Sequence, residues 1–367
     1  MRPGPTTDQL AGAVAVGVRL SSMRGGARIT TSIPGWDVVL DSTDERTVPE
    51  QVTFTAPWEW IDSRGLTIEA VTSYYAPLNN YGQRILVQQL LNCDGQPSTV
   101  RLGWYQVDSW TETDDGDVQV TCLDLLTRPD QDPLAWPSSP PAGATLRSEM
   151  QRMSGLPVIL DPGTVDSPVP RNTSYGTSKT TNMRDLATSY NVGYGVKPDG
   201  YLHVWALDNS KIPVAHYSAV DLGAPGARPG RLLSAPRHSR ARRPNRWTVV
   251  GSQSSGGADQ QWSATVESTA PPYEPEAYGW VTDRREMNVA GSQRQVTLAA
   301  QTYQRTSTIV KEVRSLEIPA DSRLERGDVI SAYTDRREML VGRIKAFSLP
   351  LSKHSDRERV DLEVFAA

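Results

Sequence analysis

Cysteine is scarce in this 367-residue chain, which has only Cys93 and Cys122. A secreted disulfide scaffold or a cysteine-rich zinc module needs more, so two buried thiols are expected. No stretch approaches the ~18 apolar residues of a membrane helix. The opening MRPGPTTDQLAGAVAVGVRL is too interrupted by Gly and Arg for a signal peptide. The chain therefore reads as a soluble product of a reducing cytosol, with no stable membrane insertion. Histidine is limited to His203, His216, His238 and His354, and none of them forms an HExxH, an HxH or a mixed Cys/His set. No GxSxG elbow, GxGxxG loop or phosphate-cradling P-loop occurs. No catalytic residue, metal ligand or cofactor is assigned on these grounds.

Lysine is also short, with six against 32 arginines. Arginine codons are GC-rich, so the bias points to a high-GC genome. Neither charge sign dominates: 38 basic and 42 acidic residues give a net charge of −4. A general nucleic-acid binder would show a broad basic field, and this chain has none. Hydrophobic residues at 38% and charged residues at 22% exclude wholesale disorder. The 28 glycines and 27 prolines exceed the usual share and favour many turns and short strands.

Residues 14–22, 28–33, 36–41, 50–55, 66–72 and 84–90 alternate apolar and polar side chains in the period-2 manner of half-buried strands. A hairpin follows, 99–110 and 117–125, around the turn Thr-Glu-Thr-Asp-Asp-Gly. Residues 1–127 thus read as a first β-barrel. The segment 128–143 carries five prolines and marks a domain crossing. Helices are predicted over 144–155, with Leu146, Met150 and Met153 on one face, and over 181–192. A hairpin over 194–205 turns at Pro198-Asp199-Gly200. These pieces form an α+β insert, 128–220. Residues 221–367 read as a second β-barrel with one helix, 292–305. The fold class is mainly β: two barrels plus a smaller inserted domain.

Two internal repeats are visible. Thr282-Asp283-Arg284-Arg285-Glu286-Met287 recurs letter for letter at 334–339, and charged hairpin turns would account for both copies. The longer repeat matches Leu102-Gly103-Trp104 through Val118–Cys122 with Val341-Gly342-Arg343 through Val360–Val364. Each is a hairpin entered through an apolar-Gly step and closed by an alternating strand. Tandem similarity of this kind is a route to pseudo-symmetry in assemblies.

Acidic side chains cluster at 41–45 and 114–117, without the twelve-residue spacing of a calcium loop. The sharpest charge feature is basic: Arg237, Arg240, Arg242, Arg243 and Arg246 fall within ten residues. This is the candidate interface or channel patch, able to pair with acids on a neighbouring subunit or to line a passage for DNA. A solvated loop is the alternative, because the run lies between Pro236 and Pro244 and no aromatic residues interleave it for base stacking.

Several segments carry a family resemblance: Tyr81-Gly82-Gln83-Arg84-Ile85, the 102–107 and 120–124 arms, Arg184-Asp185-Leu186-Ala187, Pro198-Asp199-Gly200, 245–251 and 318–330. Their order resembles the tail-tip (baseplate) hub proteins of tailed phages, including minor tail proteins of phages infecting high-GC Gram-positive bacteria. The resemblance implies a structural, non-enzymatic virion protein. It implies a homotrimer whose six tube-like barrels adapt a hexameric tail tube to a three-fold tip around a central channel. Implied partners are the distal tail protein or tail tube above and a tip, spike or fibre protein below. The tape measure protein is another, and DNA is only a transient passenger. The implied place is the virion tail tip, after assembly in the host bacterial cytoplasm. A receptor- or carbohydrate-binding tail module, which the ten tryptophans would suit, is one alternative; a tail-associated cell-wall hydrolase is another.

Overall fold

The computed structural model describes residues 1–10, 14–93, 95–207, 212–220, 230–236, 244–255, 258–271, 273–287, 292–351 and 357–365. After a single helical turn, α1 (Thr7–Leu10), the first half is all strand. The strands are β1 (Val14–Arg24), β2 (Ala27–Ile33), β3 (Trp36–Ser42), β4 (Glu50–Pro57), β5 (Glu59–Ile61), β6 (Thr67–Glu69), β7 (Gln83–Cys93), β8 (Gln96–Glu112) and β9 (Asp117–Asp124). β5 and β6 form a side hairpin. The other seven pair antiparallel in the order β3-β4-β9-β8-β7-β1-β2. The predicted alternation is realised: Val52, Phe54 and Ala56 of β4 and Ile85, Val87, Leu91 and Cys93 of β7 face one core. Both cysteines are buried, and neither is in a disulfide.

The next elements are α2 (Thr127–Gln131), α3 (Leu146–Ser154), β10 (Val158–Leu160), α4 (Lys179–Ser189), β11 (Val192–Val196) and β12 (Leu202–Ala206). α3 lies where its pattern predicted. Thr145 and Ser148 cap its N-terminus reciprocally, and Gly155 ends it in the left-handed region at φ 67°. Its Leu146, Met150 and Met153 are buried. β11 and β12 form the hairpin around Gly200, and β10 adds to it in parallel.

The chain continues with β13 (Ala215–Ser218), β14 (Gly230–Arg231), β15 (Arg246–Ser255), β16 (Ala258–Glu267), α5 (Pro275–Tyr278), β17 (Thr282–Met287) and α6 (Gln293–Ile309). It closes with β18 (Val310–Pro319), β19 (Val329–Tyr333), β20 (Met339–Pro350) and β21 (Arg357–Phe365). β20 pairs with β19 and β21, and its last residues, Phe347–Pro350, pair with β3. The N- and C-terminal strands are thereby one thirteen-stranded sheet.

The two cores do not follow chain order. β13 and β18–β21 share the core of the N-terminal sheet through Tyr217, Leu316, Phe347 and Val360. Residues of β15, β17 and α6, among them Val249, Met287, Val296 and Ala300, instead join the core of α3, α4 and β10–β12. The expectation that 221–367 packs as one unit therefore meets a different arrangement: β15–α6 buries its apolar face against the insert, and β13, read within the insert, pairs in parallel with β19.

Both repeats are resolved. The long one is two antiparallel hairpins, β8–β9 and β20–β21, each with a bulge in its first arm, at Val107/Ser109 and at Ile344/Ala346. The literal one splits. Residues 334–338 form the β19–β20 turn, with Arg337 at φ 60°, and Met339 opens β20. Residues 282–287 are not a hairpin turn; they are strand β17, parallel to β15. Met287 is 1% exposed in the core it shares with α6, whereas Met339 is 60% exposed. Burial of one methionine and exposure of the other set the backbone, since strand preference depends on context.

Candidate functional site

The arginine run divides. Arg237, Arg240, Arg242 and Arg243 lie outside the described residues. Arg246 opens β15 directly across from Glu267 of β16. Its Nε lies 2.9 Å from Glu267 Oε1, and its guanidinium stacks 3.7 Å above the Trp280 ring. Arg246 is thus engaged within its own chain.

His203 faces two carboxylates. Nδ1 is 2.6 Å from Asp161 Oδ1 and Nε2 is 2.9 Å from Asp199 Oδ2. Lys197 Nζ donates to the other Asp161 oxygen at 3.0 Å. Asp161 is held below the usual carboxylate range by hydrogen bonds from His203 and Lys197, which outweigh its partial burial. His216 Nδ1 sits 2.6 Å from Ser331 Oγ across the β13–β19 ladder. His238 and His354 lie outside the described residues. Among the described residues, no group of three or more His, Cys, Asp or Glu side chains could hold a metal ion. No helix there is long and apolar enough to cross a membrane.

The loop between β18 and β19, part of the 318–330 segment, ties the molecule together. Arg323 pairs with Asp321 and also donates to the Pro5 carbonyl at 2.7 Å. Tyr217 donates its hydroxyl to Asp321 at 2.9 Å, and the Asp321 N–H donates to Glu358 at 2.8 Å. Arg2 lies beside Glu325 and donates to the carbonyls of Ser322 and Leu324. Next to it, Tyr105 donates to Glu50, and the Glu50 N–H donates to Asp124. Burial pushes the Glu50 and Glu358 carboxyls up and raises Asp124 to about 7, with the charge of Glu50 adding to the Asp124 shift.

Beyond this loop a cleft of about 480 Å³ opens where the two cores meet. Arg184, Arg285, Arg326, Arg343 and Lys345 line it, together with Asp44, Asp283, Glu363, Tyr194, Tyr303 and Trp205. Arg326 donates to the Tyr194 carbonyl at 2.9 Å, and Arg285 stacks 4.3 Å above Tyr303. Trp205 is wedged in place: a Cβ added at Gly193 would lie 2.4 Å from its Nε1, and one at Gly327 would lie 3.1 Å away. The cleft draws on residues from 44 to 363, so nothing in the local sequence pattern points to it. Its legible trace is Arg326-Gly327, inside the segment that carried the family resemblance.

Solved structures of similar fold include three tail proteins. The tail protein from Neisseria meningitidis MC58 is 13% identical, with 95% of this chain and 97% of that chain covered and a TM-score of 0.60. The 43 kDa tail protein of prophage MuSo2 from Shewanella oneidensis is 12% identical over 94% and 98% of the two chains, at 0.58. Prophage tail protein gp18 from Listeria monocytogenes EGD-e is 10% identical over 94% of each chain, at 0.51. The chain has the fold of these tail proteins. No family model and no curated protein matches its sequence.

Proposed function

We propose that this chain is a structural protein of a phage tail tip, a homotrimeric hub that surrounds the central channel. The observation that carries the proposal is end-to-end likeness to three tail proteins, with 94–95% of the chain covered. The paired hairpins β8–β9 and β20–β21, joined through the β20–β3 ladder, support the finer reading of two related barrels per chain. Three such chains would present six barrels to a hexameric tube, in keeping with closed ring symmetry.

In this reading the first barrel is 1–127, the second draws on β13 and β18–β21, and the insert, read over 128–220, also packs against β15–α6. The distal tail protein or tail tube docks above, and a tip, spike or fibre protein docks below. The tape measure protein and DNA meet the ring only along its channel. The role is non-enzymatic and belongs to the virion, assembled in the cytoplasm of a bacterial host whose high-GC genome fits the arginine bias and whose Gram-positive type is what the family resemblance implies. Arg237, Arg240, Arg242 and Arg243 are the residues assigned to an interface or to the channel wall.

Mass measurement in solution, with negative-stain imaging of the purified full chain, tests the proposal. A three-fold ring with a central pore is the expected result. A monomer under every condition would overturn it. Turnover of peptidoglycan by the purified chain would overturn the non-enzymatic role.

A further inference from the structure

The two hairpins of the long repeat correspond strand by strand. Counted from the bulges, Val107 answers to Ile344 and Ser109 to Ala346. β9 pairs with β4 as β21 pairs with β18, so Cys122 and Val52 answer to Leu362 and Arg314. The match reaches one strand further. Trp36 pairs with Thr55 of β4, and Ser234 bridges to Glu317, the counterpart of Thr55 in β18.

The correspondence fails at one edge. The end of β20, from Phe347, has β21 on one side and β3 on the other. One more bond continues that joint, from the Leu351 N–H to the Val38 carbonyl at 2.8 Å. The same stretch of β8, Trp110–Glu112, has β9 on one side. β7 ends its pairing with β8 at Gln106, so among the described residues the other side of 110–112 has no ladder partner. An open strand edge is a template for a further strand. The β20–β3 joint shows what kind of strand fits: an antiparallel one in the β3 position of an adjoining barrel.

Outside β3 itself, that position belongs to the segment entered at Ser234. Pro236 stands two residues after Ser234, as Val38 stands two after Trp36, and so answers to Val38. Proline suits this place, because Val38 uses its carbonyl there as an acceptor. Ser234, Ala235 and Pro236 border a groove of about 510 Å³ that Arg231, Arg336, Arg357 and Asp335 also line. Arg357 is paired with Glu317, whereas Arg231 and Arg336 are exposed. The turn that follows β8 exposes Asp114 and Asp115, so the charges agree with the joint without carrying it.

We propose that the β8 end of one copy adds as an antiparallel strand to the Ser234–Pro236 edge of the next copy, repeating between chains the β20–β3 joint made within each chain. Asp114, the counterpart of Leu351, then donates its N–H to the Pro236 carbonyl, and Asp115 lies opposite Ala235. Joints within and between chains alternate, and three copies close into a ring. The inference rests on the trimeric reading above and names the strands that join its copies.

The test uses the full chain. Chains carrying Asp115→Cys and chains carrying Ala235→Cys are co-assembled and oxidised; a disulfide-linked pair containing one of each is the expected product. A second measurement removes only the donor. The Gly116 N–H donates to the Thr113 carbonyl at 2.9 Å, which places Asp114 second in the turn, where proline is favoured. Asp114→Pro should therefore keep the hairpin yet raise the concentration at half-assembly at least tenfold by light scattering, while Asp114→Ala stays within threefold of native. A trimer that gives no mixed cross-link, or an Asp114→Pro chain that assembles like Asp114→Ala, overturns the joint, leaves the β8 edge to a strand of another protein, and lets the ring stand. A native chain that is monomeric throughout overturns both.

Discussion

The Arg323 guanidinium grips the Asp321 carboxylate at two points, Nε to Oδ1 at 2.8 Å and Nη2 to Oδ2 at 2.6 Å, with both side chains almost fully buried. A charge pair removed from water is stable only while both members remain and their other hydrogen bonds are satisfied. Here Tyr217, Pro5 and Thr7 supply those bonds and bring the N-terminal segment onto the sheet. Arg323→Ala should therefore cost about 3–5 kcal/mol in unfolding free energy, because it strands a buried carboxylate. Arg357 and Glu317 form an exposed pair at 3.1 Å, and Arg357→Ala should cost about 0–1 kcal/mol. Urea unfolding of the two variants checks the contrast; equal losses would contradict it.

Asp124 gives the fold a pH dependence of known sign. Its carboxyl is raised to about 7 when folded, first by burial and then by Glu50. A raised carboxyl favours the folded state while it is protonated. That contribution is complete below the unfolded value of ~3.9 and is lost as pH rises through about 7. The expected slope from this group is about −1.4 kcal/mol per pH unit across that window. Asp124→Asn keeps the acceptor for the Leu126 N–H but removes the titration. Its unfolding free energy should therefore fall less than that of the native chain between pH 4.5 and pH 7. Parallel curves for the two proteins would refute the assignment.

Much of the fold could be read from side-chain alternation, and the cleft could not. β4, β7 and β9 each bury every second residue against one core, so period 2 located them. α3 carried its own start and stop in Thr145 and Gly155. Pairing between distant strands left no such trace: β13 joins β19 in parallel across 115 residues, and β20 reaches β3 across about 300. Identical letters at 282–287 and 334–339 adopt a strand and a turn because Met287 finds an apolar core and Met339 finds water. The cleft is assembled by those same long-range pairings, and four of its five cations were dispersed among the 32 arginines of the sequence.

Gly342, the glycine of the second apolar-Gly step, has no space for a side chain. A Cβ there would lie 2.3 Å from the Glu363 carbonyl oxygen and 2.8 Å from Leu362 Cγ. The neighbour is β21 backbone, which yields only by opening the β20–β21 ladder. Gly342→Ala should cost about 1–3 kcal/mol or more, as overpacking does. Gly17 is the comparison, because its added Cβ would meet Leu90 Cβ at 3.8 Å, an ordinary contact. Gly17→Ala should be neutral or slightly stabilising, since alanine has less backbone freedom to lose than glycine. Thermal melts of the two variants should separate by several degrees.

Arg246 tests how much of the arginine run serves the chain itself. Its guanidinium has two partners, the Glu267 carboxylate at 2.9 Å and the Trp280 ring at 3.7 Å, and both are partly open to solvent. An exposed ion pair contributes about 0–1 kcal/mol, and an exposed cation–π contact about 0.5–1 kcal/mol. Arg246→Gln should therefore lower the stability of the isolated chain by about 0.5–2 kcal/mol. Arg246→Lys should recover only part of that loss, because an ammonium is a point charge without the planar fork that stacks on indole. High salt should shrink the ion-pair share of the difference while leaving the ring contact largely in place. Denaturant unfolding of the three proteins at low and high salt measures both shares. A glutamine variant as stable as the native chain would mean that Arg246 is free to serve a partner.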